Sequence, residues 1–311
     1  KLFVAIGKIS FSLYMWHQPI LVFVRYIFVQ HYSHAQAIFI FLFILLISIL
    51  SFFFIEQPFR KKAIVKTPLL LWSTSVMLVL ITGIAVYVYL QAGIIRNVPE
   101  LDLTHDKAER HVHAKYNDRV YDYNKDFKYD GSIKILVVGN SQARDWVNVL
   151  LESGIKEQLQ ISYVEKVGLC KDFIGRCSMA NFIFFSAMDT MGYTKNYQQY
   201  HIDSGKVRII GLKNFGKSNG FFYNKKHDAS YCKQRVKINE KILQTNEFLS
   251  NEWGNHYINL IGIMIDSNNS VPVFTPDCKF ISQDCLHLTK NGSLYFGHLL
   301  HQYIKANFMF Q

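Results

Sequence analysis

Residues of the three types used in serine-based nucleophilic catalysis stand at two places in the chain, Ser141 and the pair Asp284 and His287. Asp284 and His287 are three residues apart and directly precede a predicted helix, so one turn can bring the carboxylate onto one imidazole nitrogen. The second nitrogen is then free to face a serine hydroxyl. Catalysis by serine needs this arrangement, because one group must take the proton and a third must fix the tautomer of that base. Short Asp–His motifs are common, so the surrounding elements decide the interpretation.

Ser141 follows a continuous apolar run, Ile133–Val138, and a glycine at position 139. Such a run predicts a buried parallel strand, with Gly139 turning the chain at its end. A helix is expected directly afterwards, which places Ser141 at a helix N-terminus. There, free backbone N–H groups and the helix dipole favour developing negative charge. The alternative is an ordinary strand–turn–helix corner with a serine cap.

The remainder of the C-terminal part predicts the fold that surrounds this corner. Strands are expected at Ile133–Val138, 161–167, 207–212 and 257–263, and helices at 233–253 and 292–306. Strands that alternate with helices predict an α/β domain with a parallel sheet covered on both faces. Ligands of such sheets bind outside the carboxyl ends of the strands, which is where Ser141 is expected.

Three apolar segments in the N-terminal third predict about three transmembrane helices. Residues 35–55 and Thr67–Leu90 contain no charged residue. Each is long enough to cross a hydrocarbon core of about 30 Å. Residues 9–29 form a weaker third candidate because they contain His17 and Arg25. A single cleaved signal peptide does not account for segments of this number and length.

Basic residues between the apolar segments predict the orientation in the membrane. Arg60, Lys61, Lys62 and Lys66 cluster before Thr67–Leu90, so this loop is expected in the cytoplasm. The last span then delivers the rest of the chain to the opposite side, which in a bacterium is the periplasm or the cell exterior. We therefore expect a multi-pass protein of the bacterial inner membrane, with the lipid bilayer as a partner and a periplasmic or extracellular C-terminal domain.

The charge distribution does not favour a nucleic-acid-binding protein. The 311 residues carry a net charge of +11, and residues 1–90 contain seven basic residues and one acid, placed at membrane flanks. No dense basic patch with interleaved aromatic residues follows, so no nucleic acid is expected as a partner. His105, His111 and His113 lie in a mixed-charge segment that is typical of a solvated linker. Because no second cluster stands at ligand spacing, no metal site is expected.

All five cysteines lie after residue 169. Cys170 and Cys177 form one close pair and Cys278 and Cys285 form another, each with six residues between. These spacings are compatible with two short-range disulfides in an oxidising compartment, which leaves Cys232 over. A zinc site would need tighter spacing. Free buried thiols are the alternative.

Two N-terminal segments, 7–20 (GKISFSLYMWHQPI) and 54–62 (FIEQPFRKK), resemble the end of the membrane acyltransferase-3 family. That family moves acyl groups, usually acetyl, onto surface polysaccharides. The resemblance covers about 60 residues, the last part of a domain of about ten helices, and no residue here matches the family's early catalytic histidine. His17 is either a functional residue or a hydrogen-bonding residue at the interface, and Glu56 is interpreted as structural. Because the chain begins with Lys1, we expect a fragment or a processed chain.

The last 180 residues or so resemble the SGNH hydrolase superfamily. GNSQA at 139–143 is similar to its first block, GLKNFGKSN at 211–219 to its third, and DCLHLT at 284–289 to its last. The resemblance implies a three-layer, flavodoxin-like α/β fold. It also implies catalytic roles for Ser141, His287 and Asp284, and an oxyanion hole formed with Gly168 and Asn214, with Asn219 as the fallback for Asn214.

This sequence departs from the family's first block at two positions. Asn140 stands where Asp is usual, and Gln142 stands where His is common in membrane-fused members. Neither position belongs to the proton relay, so activity is expected to survive. The departures put the family's usual substrate pocket in doubt.

The combination of these two regions in one chain resembles bacterial O-acetyltransferases that modify lipopolysaccharide O-antigen or related glycans. The resemblances imply an acyltransferase end at 1–66 with two transmembrane helices, an additional span at 67–95, a linker at 96–132 and an SGNH domain at 133–311. They also imply acetyl-CoA as acyl donor to the membrane domain, no cofactor bound in this chain, and a glycan or lipid-linked polysaccharide as acceptor. An esterase acting on acylated glycans and a non-catalytic glycan-binding domain are the alternatives.

Overall fold

The computed structural model divides the chain into two compact units, Lys1–Ile94 and Ile95–Gln311. The structure describes residues 2–27, 33–61, 65–90, 97–103, 112–216, 222–223, 227–282 and 284–308. His105, His111 and Asn219, which the sequence singled out, lie outside these residues.

The elements that the structure describes in the first unit are all helical. They are α1 (Leu2–Ile27), α2 (His34–Ser51), a π-helical turn (Phe52–Glu56), α3 (Gln57–Arg60) and α4 (Thr67–Leu90). Among the described residues, two helical stretches are long and apolar enough to cross a membrane, His34–Arg60 and Thr67–Leu90. The segment predicted as a third span is helical up to Ile27 but is not one of them, because His17, Gln18 and Arg25 lower its hydropathy.

Polar contacts join the helices of this first unit. The Ser12 hydroxyl of α1 donates to Glu56 Oε2 at 2.8 Å, and Arg60 pairs with Glu56 Oε1 at 2.7 Å. Glu56 therefore joins α1 to the π-helical turn and α3, which is a structural role. His17 Nδ1 lies 2.8 Å from the Tyr14 carbonyl oxygen of its own helix.

The second unit is built on a five-stranded sheet with the order β2-β1-β3-β4-β6, in which every pair is parallel. The strands are β1 (Ile133–Val138), β2 (Leu159–Val164), β3 (Phe182–Ser186), β4 (Val207–Ile210) and β6 (Tyr257–Ile258). A separate antiparallel pair joins β5 (Arg235–Lys237) and β7 (Ser270–Pro272). The predicted parallel sheet is confirmed.

Helices flank both faces of this sheet. They are α5 (Val112–Asp118), α6 (Ser141–Glu152), α7 (Phe173–Met179), α8 (Thr190–Tyr197), α9 (Glu240–Trp253), α10 (Leu260–Met264) and α11 (Lys290–Phe308). Ile135 and Val137 of β1 pack in one core cluster with α6 and α11, whereas Leu136 and Val138 pack in a second cluster with α7. Because both faces are buried, β1 needs apolar residues at successive positions, which explains its continuous apolar run.

Several elements differ from the sequence-based expectation. The helix predicted at 233–253 begins only at Glu240, because β5 occupies Arg235–Lys237, and neither β5 nor β7 was predicted. The apolar run Phe182–Ser186 was not predicted as a strand, yet it forms β3 beside β1. The strand expected at 257–263 ends at Ile258, because the Asn259 side chain accepts a hydrogen bond from the Gly262 amide and begins α10. A capping residue after two apolar positions converts the remaining run into a helix.

The segment predicted as a linker contains packed structure. Val120 is fully buried in the core cluster of α6. Arg119 donates to Asn148 Oδ1 at 2.9 Å and to Glu152 Oε1 at 2.7 Å, both on α6. Residues 112–123 therefore cover α6.

The cysteine pairing differs from the prediction at Cys278. Cys278 forms a disulfide with Cys232, with Cα atoms 5.1 Å apart, so the predicted pairing with Cys285 is wrong. Bridges Phe274–Phe280 and Ser282–Leu288 close two consecutive turns, one carrying Cys278 and the next carrying Cys285. Cys278 and Cys285 are close in sequence, but they lie in separate turns.

Cys170 and Cys177 are free thiols, so the predicted disulfide between them is also wrong. Cys177 lies on α7 and packs into the core. Burial, together with the nearby Cys170, raises the pKa of Cys177 to about 12. The alternative of buried free thiols is therefore correct for Cys177.

Candidate active site

Ser141 lies at the corner between β1 and α6. Gly139 adopts a φ of 134°, and a Cβ added there would collide with the Ser186 hydroxyl, so the turn requires glycine. Asn140 caps α6, because its side chain accepts a hydrogen bond from the Gln142 amide at 3.1 Å. The capping role is thus taken by Asn140. Ser141 is the first residue of the helix, and its hydroxyl is left for another partner.

Asp284 and His287 occupy a tight turn that precedes α11. Asp284 Oδ1 accepts hydrogen bonds from the backbone amides of Cys285, Leu286 and His287, at 2.5, 2.7 and 2.9 Å. The Ser282 hydroxyl donates to the His287 carbonyl oxygen at 2.7 Å. These contacts fix residues 284–287, which we call the catalytic turn.

The structure brings Ser141, His287 and Asp284 together in one hydrogen-bonded line. His287 Nδ1 lies 2.6 Å from Asp284 Oδ2, and His287 Nε2 lies 2.8 Å from Ser141 Oγ. With its proton on Nδ1, the imidazole donates to Asp284 and accepts from the Ser141 hydroxyl. This is the geometry that a general base and its orienting carboxylate need.

The catalytic turn also controls the charge of Asp284. Partial burial favours the protonated carboxyl, but hydrogen bonds from the His287 side chain and from the amides of His287 and Leu286 outweigh it. They hold the pKa of Asp284 well below its usual range. Asp284 is therefore an anion at neutral pH, and it can stabilise an imidazolium.

A buried ion pair beside the catalytic turn was missed by the sequence reasoning. Lys213, after β4, lies with Nζ 2.8 Å from Oδ2 of Asp145 on α6. The same Asp145 oxygen accepts a hydrogen bond from the Leu288 amide at 2.9 Å. Asp145 stands four residues after Ser141, which is one helical turn. That spacing is the only signal in the sequence, and it does not reveal the partner.

The two residues expected in the oxyanion hole, Gly168 and Asn214, are not part of the hydrogen-bonded line of Ser141, His287 and Asp284. Gly168 lies in an exposed turn after β2, the strand next to β1. Asn214 follows β4, which β3 separates from β1, and its Oδ1 accepts from the Gly216 amide at 2.9 Å. Phe215, the next residue, donates its amide to the Cys285 carbonyl in the catalytic turn at 2.9 Å. Within the described residues no hydrogen bond joins Gly168 or Asn214 to Ser141, so their oxyanion roles stay predictions.

No cluster of three or more His, Cys, Asp or Glu side chains that could hold a metal ion occurs among the described residues. His113 lies in α5.

No family model matches the chain, and no curated protein matches it. The chain is similar to the solved periplasmic domain of a lipopolysaccharide acetyltransferase from Salmonella ser. Paratyphi A. The likeness has 14% sequence identity and a TM-score of 0.44, and it covers 62% of this chain and 97% of that chain.

Proposed function

We propose that this chain is an O-acyltransferase whose C-terminal unit carries the acyl group on Ser141. The observation that supports the proposal is the line of contacts from Ser141 through His287 to Asp284, at 2.8 and 2.6 Å. A nucleophile within hydrogen-bond reach of a base, itself oriented by a carboxylate, is the arrangement that activates a serine. His287 is the general base, and Asp284 fixes its tautomer.

The proposed reaction has two half-steps with balanced protons. Ser141 Oγ bonds to the acyl carbonyl carbon while its proton moves to His287 Nε2, and the departing donor group takes that proton. A sugar hydroxyl then attacks the serine ester and gives its proton to His287. Ser141 recovers the proton as the acyl group leaves. Asp284 remains ionised and stabilises the imidazolium in both half-steps.

The resemblances to the acyltransferase-3 and SGNH families favour acetyl as the group and a cell-surface glycan, such as lipopolysaccharide O-antigen, as the acceptor. Acetyl-CoA is then the donor to the membrane domain. The Ser141 and Gly168 amides and the Asn214 side chain would bind the oxyanion. Loss of one such donor typically costs about 3 kcal/mol of transition-state stabilisation.

Hydrolysis of acylated glycans is the second candidate, and the exposure of the site favours it. The side chains of His287 and Asp284 are 31% and 46% exposed, so water can reach the serine ester. Incubation of the full chain with purified polysaccharide and an acetyl donor separates the two reactions. A gain of acetyl by the polysaccharide supports transfer, whereas release of acetate without that gain supports the esterase.

A serine-directed fluorophosphonate probe tests the enzyme proposals together. The full chain in detergent is expected to label at Ser141, and Ser141→Ala is expected to lose the label. Ser178→Ala is the matched control, because Ser178 is an exposed serine on α7 whose hydroxyl, in the described structure, donates only to the Gly175 carbonyl oxygen. If folded wild-type protein does not label, the domain is not a serine enzyme and a glycan-binding role is favoured.

The proposed location is the bacterial inner membrane, with the second unit on the periplasmic side. The two apolar helical stretches, the basic residues Arg60, Lys61 and Lys66 between them, and the Cys232–Cys278 disulfide support it. Thiol alkylation in intact bacterial cells tests it. Cys232 is expected to resist alkylation until a reductant is added, and a freely alkylated Cys232 would place the unit in the cytoplasm.

A further inference from the structure

Asp145 and Lys213 are almost fully buried charged residues that the proposed reaction does not use. Their side chains are 1% and 3% exposed, and they form an ion pair at 2.8 Å. Asp145 Oδ1 has no hydrogen-bond partner among the described residues. Removing two charges from water is costly, and apolar residues of similar size at such sites are often equally stable or more stable. Stability alone therefore does not account for this pair.

The contacts of the pair converge on the catalytic turn. Asp145 Oδ2 accepts from the Leu288 amide, directly after His287. On the other side, Phe215, two residues after Lys213, donates its amide to the Cys285 carbonyl. The turn is thus held from α6 at one end and from the segment after β4 at the other.

Asp145 also lies one helical turn after Ser141 on α6. Residues four apart face the same side of a helix. The helix that carries the nucleophile therefore also carries the acceptor that holds the residue next to the base. Any rotation of α6 would move Ser141 and the anchor of His287 together.

We propose that Asp145 is a positioning residue that sets the distance between His287 and Ser141 by accepting a hydrogen bond from the Leu288 amide. The ion pair with Lys213 holds the buried Asp145 carboxylate in place. The inference rests on the proposed function for its catalytic consequence. The Asp145 carboxylate forms no hydrogen bond with the Ser141 hydroxyl or with Asp284 in the described structure, so it acts through the position of the catalytic turn. Misplacing reacting groups by about 1 Å can cost a hundredfold in rate.

Two double variants isolate this role. Asp145→Asn with Lys213→Met removes both charges but keeps an oxygen for the Leu288 amide. Asp145→Leu with Lys213→Met has the same net charge as the first variant and nearly the same side-chain volume, but it has no oxygen to accept from the Leu288 amide. Comparing them separates the hydrogen bond from the ion pair, and thermal unfolding of both verifies that they are folded at the assay temperature.

We expect the Leu variant to label with fluorophosphonate roughly tenfold to a hundredfold more slowly than the Asn variant. With a small acetyl ester, the loss is expected in kcat with KM unchanged, which a general loss of folded protein would not produce. Deuterium exchange of the segment around Leu288 is expected to be faster in the Leu variant, and this readout does not depend on activity.

Equal labelling and equal exchange in the two variants would overturn the inference while the proposed function stands. If wild-type protein does not label, the proposed function fails, and the exchange comparison alone decides whether Asp145 holds the turn. Should the Leu variant not fold, Asp145→Ser with Lys213→Met shortens the side chain away from the Leu288 amide. It is then compared with the Asn variant in the same way.

Discussion

Asp284 uses both carboxylate oxygens, and each has a different task. Oδ1 accepts three backbone amides and shapes the catalytic turn, while Oδ2 contacts His287 Nδ1 at 2.6 Å. A single side chain therefore builds the turn and orients the base within it. An amide at this position could keep part of the first task but would change the second.

Asp284→Asn is accordingly expected to retain the fold and to lose most of the reactivity of Ser141. The asparagine amide can donate to Nδ1, which leaves the proton on Nε2 and prevents His287 from accepting from Ser141. A loss of roughly 10³- to 10⁴-fold in labelling rate is expected. Asp277→Asn, an exposed aspartate in the preceding turn, is the control and should label like wild type. A rate for Asp284→Asn within tenfold of wild type would contradict the orienting role.

At the residue level, the sequence was informative where the chemistry is local. Asp284 and His287 could be paired because they share one turn, and Ser141 could be placed because a strand and glycine precede it. Asp145 and Lys213 could not be paired, since they are 68 positions apart and meet only through the sheet. The cysteine partners failed for the same reason, because Cys232 and Cys278 are brought together by tertiary structure.

The corner between β1 and α6 depends on close contact between two strands. Gly139 lies against Ser186 at the end of β3, in a backbone conformation that residues with a Cβ rarely adopt. The position of Ser141, two residues later, follows from that contact. The packing of β1 against β3 therefore helps to determine where Ser141 lies.

Gly139→Ala is expected to destabilise the protein by about 1–3 kcal/mol, because it adds backbone strain and a collision with Ser186. Thermal unfolding and fluorophosphonate labelling measure the two consequences. Gly131→Ala is the control, since a Cβ there meets nothing within 4 Å. Adding Ser186→Gly to Gly139→Ala should recover part of the stability by removing the collision. Equal stability of Gly139→Ala and Gly131→Ala would show that the close contact is unimportant.

The turn before β7 provides a prediction about pH. Hydrogen bonds from the Ser270 hydroxyl and amide, with the Asn268 amide and the Arg235 charge, lower the pKa of Asp266 to about 2, from an ordinary value of 3.8. Because the pKa is lower in the folded state, this contribution to stability is fully present above pH 4 and is lost as the pH falls towards 2.

Asp266→Asn should therefore unfold at a lower temperature than wild type at pH 7, and the difference should shrink between pH 4 and pH 2. Circular dichroism melts across this range provide the measurement. Asp118→Asn, which alters an exposed aspartate at the end of α5, should show no such convergence. A difference that stays constant down to pH 2 would contradict the role of the Asp266 charge.

Helices and strands could be predicted from the sequence where the pattern of apolar residues was clear. The run Ile133–Val138 indicated a strand buried on both faces, and the structure confirms it. β3 is equally apolar but was not predicted as a strand. The end of β6 depends on a cap at Asn259, and an apolar run alone does not reveal where a strand becomes a helix.

At the scale of the whole molecule, the Cys232–Cys278 disulfide closes a loop with a sequence separation of 46 residues. That loop contains β5, α9, β6, α10 and β7. It excludes Ser141, Asp284 and His287. We therefore expect the disulfide to affect the stability of the fold more than the activity.

Cys232→Ser is expected to lower the free energy of unfolding by about 4 kcal/mol, from the chain entropy of a loop of this length. Thermal melts with and without reductant measure it. Reduction should bring wild type to the level of the variant and leave the variant unchanged. Cys170→Ser, which alters a free thiol, is the control and should melt like wild type. A wild-type melt that is insensitive to reductant would contradict the predicted contribution.

The 146-residue separation between Ser141 and His287 also has a consequence for biosynthesis. The ribosome adds residues in order, so β1 to β4 and the serine emerge well before the base and its carboxylate. A nascent chain can assemble most of the sheet while its nucleophile still lacks an acceptor for the proton. On the proposed function, Ser141 therefore gains its proton acceptor only after residues 284–287 have been translated, and a nascent chain that ends before them is expected to be unreactive towards acyl donors.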